Sequence, residues 1–184
     1  MIAVMAQALL IVDFQNDFTP GGALAVPDGD AIADRVNELA ADPRFDLVVA
    51  TRDWHPPDHG SFADQGGPWP VHCLQDTRGA ELHPALDRSR VDVIVDKGQD
   101  VATEGYSGFQ GTHLGDLLRE RGINRLTLVG LATDYCVKNT ALDALREGFE
   151  VEVDSAAVRG VEVHEGDSVR ALQEMRDAGA KVPE

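Results

Sequence analysis

Continuous apolar runs alternate along this chain with stretches in which apolar residues recur every three or four positions. Ala8 to Val12 is one such run, closed by Asp13, the pattern of a strand buried on both faces. A Thr19-Pro20-Gly21-Gly22 loop follows, after which Ile32, Val36, Leu39 and Ala40 recur at helical spacing, with Pro27-Asp28 as the start signal. Leu47 to Thr51 repeats the buried-strand pattern and ends at Arg52-Asp53. Between Trp54 and about Leu82 no periodicity is sustained while turn-forming residues accumulate, which predicts a long ordered loop. Loops of that length inside a compact domain usually serve a function.

Val91 to Val95 predicts a third strand, closed by Asp96-Lys97-Gly98, and Leu114, Leu117, Leu118 and Arg121 mark a helix stopped by Gly122. Leu126 to Leu131 predicts a fourth strand. The helix after it turns Val137, Ala141, Ala144 and Leu145 inward and ends at Gly148. Phe149 to Val153 reads as a fifth strand, Val169, Leu172 and Met175 as a last helix, and Ala180 to Val182 as a short sixth strand. Strands alternating with helices predict an α/β fold, a three-layer αβα sandwich around a mostly parallel sheet of five or six strands. All 184 residues fit one domain, 1–184, long enough to bury a core without disulfides.

Charge narrows the partners. Acidic residues outnumber basic ones 32 to 16, a formal net charge of −16, and a field of that sign repels phosphate backbones and anionic lipid. Nucleic acid and membrane surface are therefore excluded as expected partners, a small molecule is favoured, and a homo-oligomer stays open. Met1 to Ala6 carries no basic stretch and Ala8 to Val12 is too short to span a bilayer, so a cytoplasmic location is expected. Two cysteines, Cys73 and Cys136, make no disulfide framework. A Lys-poor, Asp-rich surface would suit a salty cytoplasm, though plain solubility explains it as well.

In a parallel sheet, ligands bind outside the carboxyl ends of the strands. Asp13 ends the first strand, Asp53 the second and Lys97 the third, while Cys136 follows the fourth in the first turn of a helix. A helix N-terminus favours thiolate over thiol, which makes such a cysteine a nucleophile. An isolated cysteine is more often a small buried packing residue; the company of Asp13 and Lys97 is what shifts the reading, since a thiolate needs a proton acceptor and a cation. A second constellation lies in the long loop: Asp53-Trp54-His55, His59 and His72. An extended Asp-x-His sends alternate side chains to one side, so both reach one ion, with His72 closing the site and His59 as a further candidate. The expected cofactor is one divalent transition metal ion, zinc foremost, with iron or manganese as alternatives. Cys73 reads as packing.

The motifs Ile11-Val12-Asp13-Phe14-Gln15-Asn16-Asp17-Phe18, Asp53-Trp54-His55-Pro56, Trp69-Pro70-Val71-His72-Cys73, Lys97-Gly98, Tyr106-Ser107-Gly108-Phe109 and Gly130-Leu131-Ala132-Thr133-Asp134-Tyr135-Cys136-Val137 stand in this order. Together they resemble the nicotinamidase (pyrazinamidase) branch of the isochorismatase-like cysteine hydrolases, across essentially the whole chain. The resemblance implies that Cys136 attacks an amide carbonyl, that Asp13 moves the proton and that Lys97 holds the charges. It implies a cis peptide between Leu131 and Ala132, an oxyanion hole from the N–H groups of Ala132 and Cys136, and metal ligands Asp53, His55 and His72, with His59 as a further candidate. Phe18, Trp69 and Tyr106 would line the pocket for an aromatic ring. The implied activity is conversion of nicotinamide, and of pyrazinamide, to the acid and ammonia through a thioester in NAD salvage. A related amidase acting on another small amide, or a silent metal-binding member of the fold, are the rivals.

Overall fold

The computed structural model describes residues 5–183; Met1 to Val4, read above as lacking a leader, lie outside the described residues. Among the described residues, five strands form one wholly parallel sheet: β1 (Ala6–Val12), β2 (Leu47–Asp53), β3 (Val93–Lys97), β4 (Ile123–Leu131) and β5 (Glu150–Arg159), in the order β3-β2-β1-β4-β5. Among the described residues three α-helices connect strands, α1 (Ala33–Ala40) between β1 and β2, α2 (Leu114–Glu120) between β3 and β4 and α3 (Lys138–Arg146) between β4 and β5, while α4 (Asp167–Asp177) follows β5.

The solid apolar runs have a direct cause. Ala8, Leu10 and Val12 of β1 join one core with α2, α3 and α4, while Leu9 and Ile11 join a second core with α1 on the opposite face. A period-two strand covered on both faces has no polar position to spare. The predicted αβα sandwich is therefore present, with a correction to its second layer. That layer holds one helix, and loop residues such as Phe18, Cys73, Ala80, Leu82 and Leu86 complete it.

Other expectations need adjusting. The sixth strand is absent among the described residues: Lys181 makes an isolated bridge to Glu152 and nothing more. A 3₁₀ turn, Gly29–Ile32, precedes α1, so the α-helix begins later than Pro27-Asp28 implied. β3 starts at Val93 and takes in Lys97 itself. β5 runs far past Val153, because its pairing with β4 slips between Leu128 and Gly130 and resumes at Val158. Polar Asp154-Ser155 hides that continuation from a hydrophobicity pattern.

The chain begins in the sheet's centre, builds outward through β2 and β3, then returns to place β4 on the other side of β1. The reversal lies between β1 and β4. A crevice at such a switch point is where open α/β sheets bind ligands, and Asp13 and Cys136 flank it.

Candidate active site

Register brings the charged groups together before any side chain is considered. Asp53 and Lys97 are direct partners in the β2–β3 ladder, and the Asp13 N–H donates to the Thr51 carbonyl at 3.1 Å. The Lys97 ammonium lies 2.6 Å from Asp53 Oδ1, 2.8 Å from Asp13 Oδ2, 2.9 Å from the Gly105 carbonyl and 3.5 Å from Cys136 Sγ. Both Asp13 and Lys97 are essentially without solvent contact. Asp13 Oδ2 is held by Lys97 as a buried ion pair. Its twin, Oδ1, accepts the Thr51 hydroxyl at 2.8 Å. The sulfur of Cys136 and one carboxylate oxygen each of Asp13 and Asp53 lie within 4.8 Å of one another.

Electrostatics corrects one expectation. Cys136 sits in a π-helical turn, Thr133–Val137, that runs into α3, and its thiol pKa is raised well above the ordinary value. Burial is the main cause; Lys97 opposes it, and Asp13 and Asp53 add to it. Burial thus favours the neutral thiol. Asp13 has a raised proton affinity as well, through burial above all and then Asp53, against the pull of Lys97. Burial alone would discharge Lys97, but the two carboxylates outweigh it and keep the ammonium charged.

The second constellation also converges. Ligand atoms of Asp53, His55 and His72 lie within 4.8 Å of one another, and all three side chains are buried. His55 Nδ1 is 2.7 Å from the Gly98 carbonyl and His72 Nδ1 is 2.7 Å from the Pro70 carbonyl. A carbonyl only accepts, so each Nδ1 carries the hydrogen and each Nε2 is left as the atom that can ligate an ion. That backbone support is what metal-ligating imidazoles require, and the donor set fits a divalent ion with open positions. Burial depresses the His72 pKa; for His55 the hydrogen bond and charge of Asp53 overcome burial and raise it. At His55 a proton and an ion compete for one lone pair. His59 is not among the converging ligand atoms. Its Nδ1 pairs with Ser61 Oγ at 2.7 Å, and its ring packs against that of His55, tilted by 31°, with centroids 4.0 Å apart.

Asp53 joins the two halves, one oxygen on Lys97 and the other 3.4 Å from His55 Nε2. Above both lies a cleft lined by Phe18, Trp69, Tyr106, Ala132 and Cys136, all named from the sequence. The Leu131–Ala132 peptide is cis. Trp69 Nε1 donates to the Tyr106 hydroxyl at 3.0 Å. Sequence reasoning missed Tyr135, which packs edge-on against Trp69 at 5.0 Å, as well as Leu24 and Val161 on the walls. It also missed Gln15, whose amide donates to the Asp53 and Ala80 carbonyls at 2.8 and 2.9 Å and accepts the Asp53 N–H at 2.8 Å. The signal was an amide two residues past a strand-end aspartate; only the fold reveals what it clamps.

Comparison with known proteins agrees with this geometry. The chain is 44% identical to the nicotinamidase of Escherichia coli (strain K12), over 95% of this chain and 92% of that protein. The solved pyrazinamidase of Pyrococcus horikoshii in complex with zinc has a TM-score of 0.89 at 48% identity, covering 97% of this chain and 98% of its own. A structure from L. infantum in complex with nicotinate reaches a TM-score of 0.93 at 35% identity, covering 100% and 95%. Asp53, His55 and His72 thus form a candidate site for a metal ion, and the Pyrococcus horikoshii neighbour is a zinc complex. Matched over residues 7–183, the chain belongs to the isochorismatase domain family.

Proposed function

We propose that this chain is a nicotinamidase, a cysteine amidohydrolase that converts nicotinamide to nicotinate and ammonia in NAD salvage and accepts pyrazinamide in the same way. The observation that carries this reading is the shared ammonium of Lys97, in reach of Asp13 and Cys136 on one side and of Asp53 on the other, beneath an aromatic-walled cleft.

In the proposed reaction Asp13 takes the thiol proton and the Cys136 sulfur adds to the carboxamide carbon. Backbone N–H groups of Ala132 and Cys136 receive the developing oxyanion, a contribution worth about 3 kcal/mol per donor in acyl transfer. Asp13 returns the proton to the nitrogen, the C–N bond breaks and ammonia departs, leaving a thioester on Cys136. Asp13 then deprotonates a water that attacks the thioester carbon; the C–S bond breaks, nicotinate leaves and the thiol is restored. Lys97 keeps the Asp13 carboxylate oriented throughout. Phe18, Trp69 and Tyr106 hold the flat ring. Asp53, His55 and His72 would hold zinc, with His59 a less direct candidate for the ligand set. When bound, the ion supplies a Lewis-acidic anchor for the pyridine nitrogen, directly or through water.

The test is ammonia release from nicotinamide and pyrazinamide. Wild-type protein should turn over both, and Cys136→Ala should turn over neither while keeping its circular dichroism and thermal midpoint. Undiminished release by the alanine variant would remove the mechanism, and inactivity of the wild type toward both amides would remove the assignment.

A further inference from the structure

One buried carboxylate beside Cys136 takes no part in the proposed reaction. Asp134 stands two residues earlier in the π turn and is 7% exposed. Its Oδ1 accepts the Val161 N–H and its Oδ2 the Glu162 N–H, both at 2.9 Å. Both oxygens are committed to backbone donors, which removes Asp134 from acid–base work and fixes its orientation. The two amides belong to the loop after β5, and Val161 is one wall of the cleft above Cys136. Glu162 in turn caps α4, accepting the N–H groups of Gly166 at 2.9 Å and Ser168 at 2.7 Å. Gly160 completes the seat: a Cβ there would stand 3.2 Å from Asp134 Oδ1 and collide with Ser168 Oγ.

We propose that Asp134 is a positioning residue, a latch that ties the loop after β5 to the turn carrying Cys136 and so sets Val161 as the wall that confines the ring and screens the thiol. The proposal rests on Cys136 being the reacting group. Hydrogen bonds to a charged acceptor are about twice as strong as neutral ones, so two of them on adjacent amides hold the loop in one place. Asp13, Lys97 and the metal ligands are untouched by the latch. Its loss should therefore weaken ring binding more than bond cleavage.

Asp134→Asn preserves shape but turns an NH₂ group against one backbone N–H. Three quantities test it: kcat and KM for nicotinamide, and the rates at which iodoacetamide labels Cys136 and Cys73, resolved by peptide mass spectrometry. KM should rise roughly tenfold, the scale of one lost hydrogen bond to a charged group, with kcat changed less. Cys136 should label several-fold faster, while Cys73, fully buried, stays unlabelled. Labelling needs no substrate, so it still reports on the latch if the nicotinamidase reading fails. Unchanged KM with unchanged labelling overturns the proposal, and so does parallel labelling of both cysteines, which would mean general loosening. Should Asp134→Asn not fold, Gly160→Ala displaces the loop from its own side, and Val161→Ala removes the wall while keeping both hydrogen bonds. Each should raise KM, and a normal KM in Val161→Ala overturns the assignment.

Discussion

Lys97 decides most of what individual residues do here. One buried ammonium satisfies two carboxylates, a carbonyl and a sulfur. Without it, Asp13 and Asp53 would face each other as uncompensated buried charges. Lys97→Met should therefore destabilise the fold by about 3–5 kcal/mol, the range for breaking one side of a buried ion pair, as well as abolish turnover. Chemical denaturation measures the first; a loss below about 1 kcal/mol would show the pairing to be dispensable. The cysteine illustrates the complementary limit. Its place after a strand was legible in the sequence and its dipolar setting argued for a thiolate, but burial raises its pKa well above the ordinary value even with Lys97 beside it. Burial is a property of the assembled fold and cannot be read from one position.

At the level of elements, the site depends on how closely β1 and β4 meet. Gly130 has φ +114°, and a Cβ there would run into the Val12 backbone one residue before Asp13. Gly130→Ala should cost about 2–4 kcal/mol through strain and collision and should lower kcat by shifting Asp13 against Cys136. A variant with wild-type stability and rate would show the strand ends to be more tolerant than this packing implies. The long loop after β2 is ordered by its own backbone bonds, His55 N to the Cys73 carbonyl and Gln75 N to the His55 carbonyl, both 2.9 Å. An ion held by Asp53, His55 and His72, as proposed, would add a further tie. Anything that binds only the folded state stabilises it, so EDTA should lower the thermal midpoint and raise KM for nicotinamide, and added zinc should restore both. An EDTA-treated protein, metal-free by elemental analysis, with the same melting curve and KM would disprove that role.

For the whole molecule the dominant quantity is the net charge of −16. Self-repulsion of that size destabilises a compact state, and salt screens it over about 10 Å at 0.1 M. Raising sodium chloride from near zero to about 0.5 M should lift the thermal midpoint by a few degrees; a flat or falling midpoint would mean that exposed pairs such as Arg125–Glu150 outweigh the repulsion. The same scale separates what each level of description decides. Periodicity alone determined the α/β class and which strand ends carry Asp13, Asp53 and Lys97, because hydrophobic burial writes its period directly into sequence. Motif identity determined the cleft residues Phe18, Trp69 and Ala132. Only the tertiary structure decided that Asp53 serves both Lys97 and the imidazoles, that Gln15 clamps its backbone and that Asp134 holds the loop bearing Val161. The pairings of Asp53 with Lys97, of Gln15 with Asp53 and of Asp134 with Val161 span 44, 38 and 27 residues of chain. Contacts of that kind follow from strand order and register, which neighbouring residues do not encode.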